Sequence, residues 1–234
     1  MKEFSPILVT GAARSGSGMI AGTFVKCGAF GGVMTNKRGM YENDHIRDKI
    51  VKPYLRKVGV DIEGQYPLLD SNSLLIPRYW QACVEGVFLE QKFAFQKPWM
   101  YKDSRIALMW PIWHYAFPNA KWVLVRRRTG DIIESCTKTA YMKAFKNEVI
   151  RQKIGVETEE AGWLWWVHEF EKRFIEMIEA GVNVKVIWPE RMVHGDYQQL
   201  FETLDWLGLK WSPEILNFID PLLWTSRKKI ERRS

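Results

Sequence analysis

The stretch that decides the fold is Pro6-Ile-Leu-Val-Thr-Gly-Ala-Ala-Arg-Ser-Gly-Ser-Gly-Met19. Its apolar run predicts a buried strand over residues 7–10, and Gly11 ends that strand in a loop of small residues. A helix is predicted to begin near Ser17. A strand, a glycine-containing turn and a helix N-terminus together form an anion site, because the N–H groups of the turn converge on a phosphate and the helix dipole favours negative charge.

The spacing of this loop nearly matches the Gly-x4-Gly-Lys-[Ser/Thr] loop of nucleoside triphosphate sites. It departs at two positions, since Ser17 stands in place of the lysine and Gly18 in place of the magnesium-binding hydroxyl. The strand predicted over residues 121–126 is followed by further arginines and lacks the aspartate that holds magnesium in such sites. The sequence therefore lacks the lysine, hydroxyl and aspartate that a metal-dependent kinase uses. Arg14 instead gives the loop a fixed positive charge without a metal.

Composition predicts one domain over residues 1–234, since 234 residues of which 47% are hydrophobic can bury a substantial core. The 34 basic and 27 acidic residues give a formal charge of +7, which suits an anionic ligand or a nucleic acid. Cys27, Cys83 and Cys136 have no paired spacing and predict reduced thiols. The sequence shows neither a signal-peptide pattern nor a membrane span, so a cytoplasmic protein is expected.

Apolar strand-like runs alternate with longer helical patterns along the chain. Strands are predicted over residues 7–10, 99–102, 121–126 and 183–188. Helices are predicted over residues 17–29, 44–58, 78–94, 105–116, 129–146, 157–180 and 196–207. This alternation predicts a P-loop-like α/β fold of three layers, with a mostly parallel central sheet between helices. Ligands of such folds bind at the carboxyl ends of the strands, so the loop and the arginines after the third strand are expected to face one crevice.

Two further basic motifs accompany the loop. Arg127 follows the third strand, and Ser135 lies two turns into the next helix, so both could donate to one phosphate. Asp131 falls in the first turn of that helix, where a carboxylate suits the helix dipole. The run Arg227-Lys228-Lys229 comes later in the chain. Alone, each motif more often marks a solvated charged surface.

Together these motifs resemble those of the sulfotransferase superfamily, whose members use 3′-phosphoadenosine 5′-phosphosulfate (PAPS). The loop Ala13-Arg-Ser-Gly-Ser-Gly18 is similar to the family's 5′-phosphosulfate loop, commonly Pro-[Lys/Arg]-Ser-Gly-Thr-Thr. Arg127 and Ser135 have the spacing of the family's 3′-phosphate motif. Arg227-Lys228 resembles an Arg-Lys pair, late in the sequences of cytosolic members, that binds the same phosphate. The resemblance extends from about residue 6 to about residue 229.

The resemblance implies two groups of donor-site residues. They are Ala13, Arg14, Ser15, Gly16, Ser17, Gly18 and Met19 for the 5′-phosphosulfate, and Arg127, Ser135, Arg227 and Lys228 for the 3′-phosphate. Arg14 occupies the position of the family's catalytic lysine, so it is expected to stabilise charge in the transition state. The loop departs from the family in having Ala13 for proline and Ser17-Gly18 for two threonines, which removes one hydroxyl.

The proton of the acceptor requires a general base near Arg14, and the resemblance leaves two candidates. The stretch Lys102-Asp103-Ser104-Arg105 is similar to a Lys-Asp-Pro-Arg segment of bacterial members, which makes Asp103 one of them. The other is Glu42, because residues 36–43 resemble a segment of bacterial relatives in which a glutamate follows the first helix. None of the four histidines has metal-ligand spacing, and no metal is expected.

These expectations describe an enzyme that moves a sulfuryl group from PAPS to an acceptor hydroxyl or amine by in-line transfer, with adenosine 3′,5′-bisphosphate (PAP) as product. The acceptor is expected to be a small molecule or a saccharide, in a pocket walled by residues 36–80 and 140–166. No nucleic-acid partner is expected, and the sequence leaves a homodimer open. Two other hypotheses stay open: a small-molecule kinase with a degenerate phosphate loop, and a non-catalytic basic module that binds nucleotides or nucleic acid.

Overall fold

Four parallel strands form the central sheet, and they match the four predicted strands. The computed structural model describes residues 4–35, 40–220 and 224. The strands of the sheet are β1 (Ile7–Thr10), β4 (Met100–Lys102), β5 (Lys121–Val125) and β6 (Val184–Ile187), and a separate antiparallel hairpin consists of β2 (Met34–Thr35) and β3 (Glu42–Asn43). The order across the sheet is β4-β1-β5-β6, and each neighbouring pair is parallel.

The side chains of β1 alternate between two hydrophobic cores, as the two-residue period of a strand requires. Leu8 packs in the core on one face of the sheet, whereas Ile7 and Val9 pack in the core on the other face. The side chains of β5 alternate in the same way. Because helices cover both faces, β1 and most of β5 are continuous apolar runs that could be recognised in the sequence, whereas β4 and β6 each contain one lysine. The predicted three-layer α/β fold is confirmed.

Helices supply the outer layers. The first core packs against α2 (Asp44–Ile46), α3 (Lys52–Lys57), α4 (Trp80–Glu90), α5 (Arg105–Leu108), α6 (Trp110–Ala116), α7 (Thr129–Thr137), α8 (Glu148–Lys153) and α9 (Glu159–Glu179). The second core packs against α1 (Ser17–Lys26), α10 (Pro189–Val193), α11 (Gln198–Leu207) and α12 (Glu214–Phe218). No helix in the described part of the chain is long and apolar enough to span a membrane.

Several predicted helices differ in detail from those observed. The helix predicted over residues 44–58 is α2, a π-helical turn (Arg47–Val51) and α3 in succession. The helix predicted over residues 105–116 is divided at Met109 into α5 and α6, because Pro111 has no N–H to continue the ladder of hydrogen bonds. The sequence did not predict α8, α10, α12 or the hairpin, since such short elements show too little periodicity.

The hairpin brings Glu42 to the end of β4, close to the loop that follows β1. Asn43 holds the hairpin in place from both sides. Its Nδ2 donates to the carbonyl oxygen of Gly31 at 2.9 Å, and its Oδ1 accepts from the N–H of Ile46 at 3.2 Å, which caps α2. The Nζ of Lys102, at the end of β4, donates to the Oε1 of Glu42. These contacts make the hairpin part of the site.

Candidate active site

The loop between β1 and α1 is a tight turn whose shape depends on glycine. A Cβ on Gly11 would lie 2.4 Å from the carbonyl oxygen of Val125 and 2.6 Å from the Oγ of Ser15, so no larger residue fits there. Gly16, the N-cap of α1, has φ +91°, in the left-handed region that glycine enters without steric cost. The N–H of Ser15 donates to the carbonyl of Ala12 at 3.0 Å. The turn thus leads directly into the first turn of α1, where the N–H of Met19 donates to the carbonyl of Gly16 at 3.0 Å and the N–H groups of Ser17 and Gly18 precede the first helical hydrogen bond.

Two residues of this turn are energetically unfavourable, one in its backbone conformation and one in its hydrogen bonding. Arg14 has φ +72°, which a residue with a Cβ adopts only at a steric cost. Ser15 is fully buried, and its hydroxyl has no hydrogen-bond partner among the described residues. An unpartnered buried hydroxyl and a strained backbone both raise the free energy of the folded state, and both occur preferentially at binding sites. The loop is therefore consistent with a shape selected for an anionic ligand.

The two motifs predicted to face one crevice meet through three side chains. The Nε of Arg14 donates to the Oγ of Ser135 at 2.9 Å. The Nη1 of Arg127 donates to the carbonyl oxygen of Arg14, also at 2.9 Å. The loop after β1 is therefore joined to the end of β5 and to α7, although 121 residues separate Arg14 from Ser135. The ligands of these residues remain predictions.

Arg127 is packed into the protein rather than extended into solvent. Its guanidinium carbon lies 4.2 Å from the centre of the Trp224 ring, a cation–π contact, and its Nε lies 3.9 Å from the Oδ2 of Asp131. Burial lowers the pKa of Arg127, Asp131 opposes this change, and the positive charge of Arg14 lowers the pKa further. Two cations held this close together destabilise each other, so an anion bound beside both would be stabilised.

A cavity of about 620 Å³ opens beside the loop. One group of lining residues comes from the loop and the start of α1, and Arg127 and Trp224 also line the cavity. A second group is charged, and we call it the charged wall. It consists of Glu42, Arg47, Lys52, Glu63, Lys102 and Arg105. Of the two predicted wall segments, residues 36–80 supply four members of the charged wall, and residues 140–166 supply Tyr141.

Glu42 lies at the centre of the charged wall. Its side chain lines the cavity, yet the residue is only 3% exposed. Its Oε1 accepts from the Nζ of Lys102 at 2.9 Å, and its Oε2 accepts from the Nη2 of Arg105 at 3.0 Å. The Nη1 of Arg47 lies 3.6 Å from the same Oε2. These cations fix the orientation of a carboxylate that faces the cavity.

Asp103, the other candidate base, has a different position. It is fully buried and is not among the residues that line the cavity. Its Oδ1 accepts from the backbone N–H and the Nε of Arg105 at 2.9 and 2.7 Å, and its Oδ2 accepts from the hydroxyl of Tyr101 at 2.8 Å. Burial alone would raise the pKa of Asp103, but Arg105 and these hydrogen bonds hold it below its usual value. Asp103 therefore orients Arg105, while Glu42 is the candidate that an acceptor can reach.

Sequence reasoning missed several cavity residues, namely Arg47, Lys52, Glu63, Tyr141 and Trp224. Only Trp224 had a signal, as an aromatic residue just before the basic run at residues 227–229. Arg227 and Lys228, both predicted to bind the 3′-phosphate, lie outside the described residues, so their role stays a prediction. Within the ranges that the structure describes, no three His, Cys, Asp or Glu side chains are grouped so as to hold a metal ion.

Two solved structures share this fold over most of the chain. The sulfotransferase domain of the olefin synthase from Synechococcus PCC 7002 has a TM-score of 0.58 and 15% sequence identity, over 100% of this chain and 85% of that one. Sulfotransferase STF9 from Mycobacterium avium has a TM-score of 0.52 and 11% identity, over 97% of this chain and 69% of that one. Neither a protein-family model nor a curated protein sequence matches this chain. The chain thus has the fold of these sulfotransferases.

Proposed function

We propose that this protein transfers a sulfuryl group from PAPS to an acceptor hydroxyl or amine and releases PAP. The observation that carries the proposal is the junction of Arg14, Arg127 and Ser135, which joins two cations and a hydroxyl beside one cavity. PAPS has a phosphomonoester as well as a phosphosulfate, so it requires two anion subsites. The fold shared with sulfotransferases supports the same activity.

On the 5′ side, Arg14 and the N–H groups of residues 16–18 bind the phosphosulfate, since the N–H groups of Ser15 and Met19 already donate to the carbonyls of Ala12 and Gly16. During transfer a bond forms between the acceptor oxygen and sulfur, and the bond between sulfur and the bridging phosphate oxygen breaks. Negative charge therefore grows on the leaving phosphate, and preorganised donors stabilise that charge. As in phosphoryl transfer, positioning and charge stabilisation supply most of the catalysis. The strained turn at Arg14 holds these donors in place before the ligand arrives.

On the 3′ side, Arg127 and Ser135 bind the phosphomonoester. The guanidinium of Arg127 has five N–H donors, and a serine hydroxyl can donate while it accepts. Ser135 accepts from Arg14 through a lone pair, which leaves its own proton for donation to the phosphate. This pair would distinguish PAPS from a nucleotide that lacks a 3′-phosphate.

Glu42 is the proposed acceptor of the proton. Lys102 and Arg105 hold its two carboxylate oxygens at 2.9 and 3.0 Å, which fixes the orientation of the carboxylate at the cavity. The proton is transferred late, since the acceptor hydroxyl becomes acidic only as its bond to sulfur forms. Glu42 then takes the proton, and Arg14 and Arg127 balance the charge of the product PAP until it dissociates.

Thermal unfolding with PAP, compared with magnesium-ATP, tests this proposal. At a PAP concentration of a hundred times its Kd, binding stabilises the protein by about 2.7 kcal/mol. For a domain of this size that corresponds to a rise in Tm of about 5–10 °C. Magnesium-ATP is expected to shift the Tm by less than 1 °C. Stabilisation by magnesium-ATP without stabilisation by PAP would instead support a kinase, and steeply salt-dependent binding of mixed nucleic acid would support a basic binding module.

Transfer itself is then measured as PAP release from PAPS in the presence of a mixture of alcohols, phenols, amines and saccharides. The proposal requires release that depends on the acceptor, with the acceptor gaining the mass of a sulfuryl group. A matched control is Arg128→Ala, because Arg128 is the neighbour of Arg127 but its side chain is 59% exposed and faces Glu190. This variant is expected to keep full activity.

A further inference from the structure

The charged wall is a chain of ion pairs in which cations and carboxylates alternate. The Nζ of Lys52 lies 2.7 Å from the Oε1 of Glu63, and the Oε2 of Glu63 lies 3.6 Å from the Nη1 of Arg105. Arg105 continues the chain to Glu42 at 3.0 Å, and Glu42 continues it to Lys102 at 2.9 Å. All five residues line the cavity, so an acceptor meets a row of charges of alternating sign.

Carboxylates just behind the wall complete its charge balance. Arg47 lies 2.7 Å from both Asp44 and Asp48, and Arg105 lies 2.7 Å from Asp103. Each of the four cations in the wall therefore has a carboxylate oxygen within 2.9 Å. An anionic acceptor would find no cation here without a competing carboxylate, so this half of the cavity is not built for a second strong anion.

An apolar acceptor suits the wall no better. A phenol ring or an alkyl chain placed against it would remove water from charged groups and return too few hydrogen bonds, which is costly. A molecule rich in hydroxyl groups has neither problem. Each hydroxyl donates to a carboxylate and accepts from an ammonium or guanidinium, so adjacent hydroxyls can bridge an ion pair such as Lys52–Glu63.

Tyr141 adds a flat surface beside the wall. Its side chain lines the cavity, and the residue is 46% exposed. The buried side chain of Gln65 holds the backbone around it, since Nε2 donates to the carbonyl of Tyr141 at 2.8 Å and Oε1 accepts from the N–H groups of Lys143 and Ala144. An aromatic ring on a backbone held in this way can pack on the C–H face of a sugar while the wall binds its hydroxyls.

We propose that the acceptor is an uncharged saccharide, and that Lys52 and Glu63 are residues that select it. This inference rests on the proposed function for the reaction, but not for binding, because the wall is separate from the phosphate loop. The site that would hold the donor uses Arg14, Arg127 and Ser135, none of which belongs to the wall. Acceptor recognition and donor binding can therefore be measured separately.

The test measures binding to the full chain by titration with saturation-transfer NMR. The probes are neutral trisaccharides of glucose, galactose, mannose and N-acetylglucosamine, together with 4-nitrophenol and 1-octanol. At least one trisaccharide is expected to bind more tightly than the phenol and the alcohol. Lys52→Met and Glu63→Gln should each lower the affinity for that saccharide about tenfold, as expected for the loss of a charge-assisted hydrogen bond. Glu90→Gln is the matched control, because Glu90 forms an exposed ion pair with Lys49 outside the cavity.

The Tm of each variant with PAP is measured on the same samples, and all should be stabilised as the wild type is. Tighter binding of 4-nitrophenol or 1-octanol than of every trisaccharide would overturn the inference. Unchanged saccharide affinity in both wall variants would also overturn it. If saccharides bind as expected but PAP does not stabilise the protein, the assignment of the wall stands and the proposed reaction fails.

Discussion

Arg127→Ala gives the sharpest test of how the donor nucleotide would be bound. Besides the contacts with Trp224 and Asp131, the substitution removes two interactions of the guanidinium that bear on the ligand: a hydrogen bond to the carbonyl of Arg14 in the phosphate loop, and the proposed contact with a 3′-phosphate. The first interaction affects every ligand of the loop. The second affects only ligands that carry a 3′-phosphate. Two ligands that differ in this one group can therefore separate the effects.

The magnitudes follow from the kind of interaction lost. The hydrogen bond to the carbonyl of Arg14 has a charged donor and contributes about 1.5–3 kcal/mol, so a loosened loop should weaken the binding of adenosine 5′-phosphate by about tenfold or more. Hydrogen bonds to charged groups contribute about 1.5–3 kcal/mol, which corresponds to a further loss of about 10- to 150-fold for PAP. The ratio of the two losses is the decisive quantity, because the contribution of the loop cancels in it.

Isothermal titration of both nucleotides into wild type and variant gives this ratio. Arg128→Ala is the matched control and should change neither affinity by more than about twofold. A ratio near one, with both nucleotides weakened equally, would refute the assignment of Arg127 to the 3′-phosphate and leave it as a residue that only supports the loop. Circular dichroism of each variant confirms that the fold is retained.

Three other outcomes are expected. Arg14→Ala should lower kcat by about 100- to 1000-fold and the affinity for PAP by less than tenfold, since the guanidinium acts mainly on charge that develops during transfer. Equal losses of kcat and of affinity would contradict that role. The free energy of unfolding should fall as the pH drops below about 4, because the lowered pKa of Asp103 stabilises the fold only while its carboxylate is ionised; urea titrations at pH 7 and pH 3 should show a smaller loss for Asp103→Asn than for the wild type. A thiol reagent at pH 8 should label the exposed Cys83 and spare Cys136, whose pKa burial raises to about 12; fast labelling of Cys136 in the native protein would show that α7 is not packed as described.

The sheet and the junction of the two phosphate motifs could be predicted from the sequence. Strands buried on both faces are continuous apolar runs, and the carboxyl ends of parallel strands meet at one edge of the sheet. Helical geometry places Ser135 two turns into α7, within reach of the loop. These are regular features with a fixed period, so spacing alone locates them. The single domain and the homodimer stay predictions.

The charged wall could not be predicted in the same way. Lys52 and Glu63 lie in short segments whose positions depend on tertiary packing, so nothing in the local sequence distinguishes them from surface charges. The choice between Glu42 and Asp103 was open for a related reason. Their motifs favoured Glu42 without excluding Asp103, and the fold shows that Asp103 points inward to Arg105 while Glu42 faces the cavity.

The parallel pairing of distant segments also decides when the site can exist during synthesis. The hydroxyl of Thr10 donates to the carbonyl of Asp103, 93 residues further on, and Arg14 meets Ser135 only after 121 residues. Closing loops of this length costs chain entropy before many contacts form to offset it, and such topologies fold slowly. A nascent chain that ends before Ser135 cannot assemble the junction, so it would not compete for nucleotide on the ribosome. Nucleotide binding would then report that β1, β4 and β5 have joined, which makes it a readout of folding as well as of function.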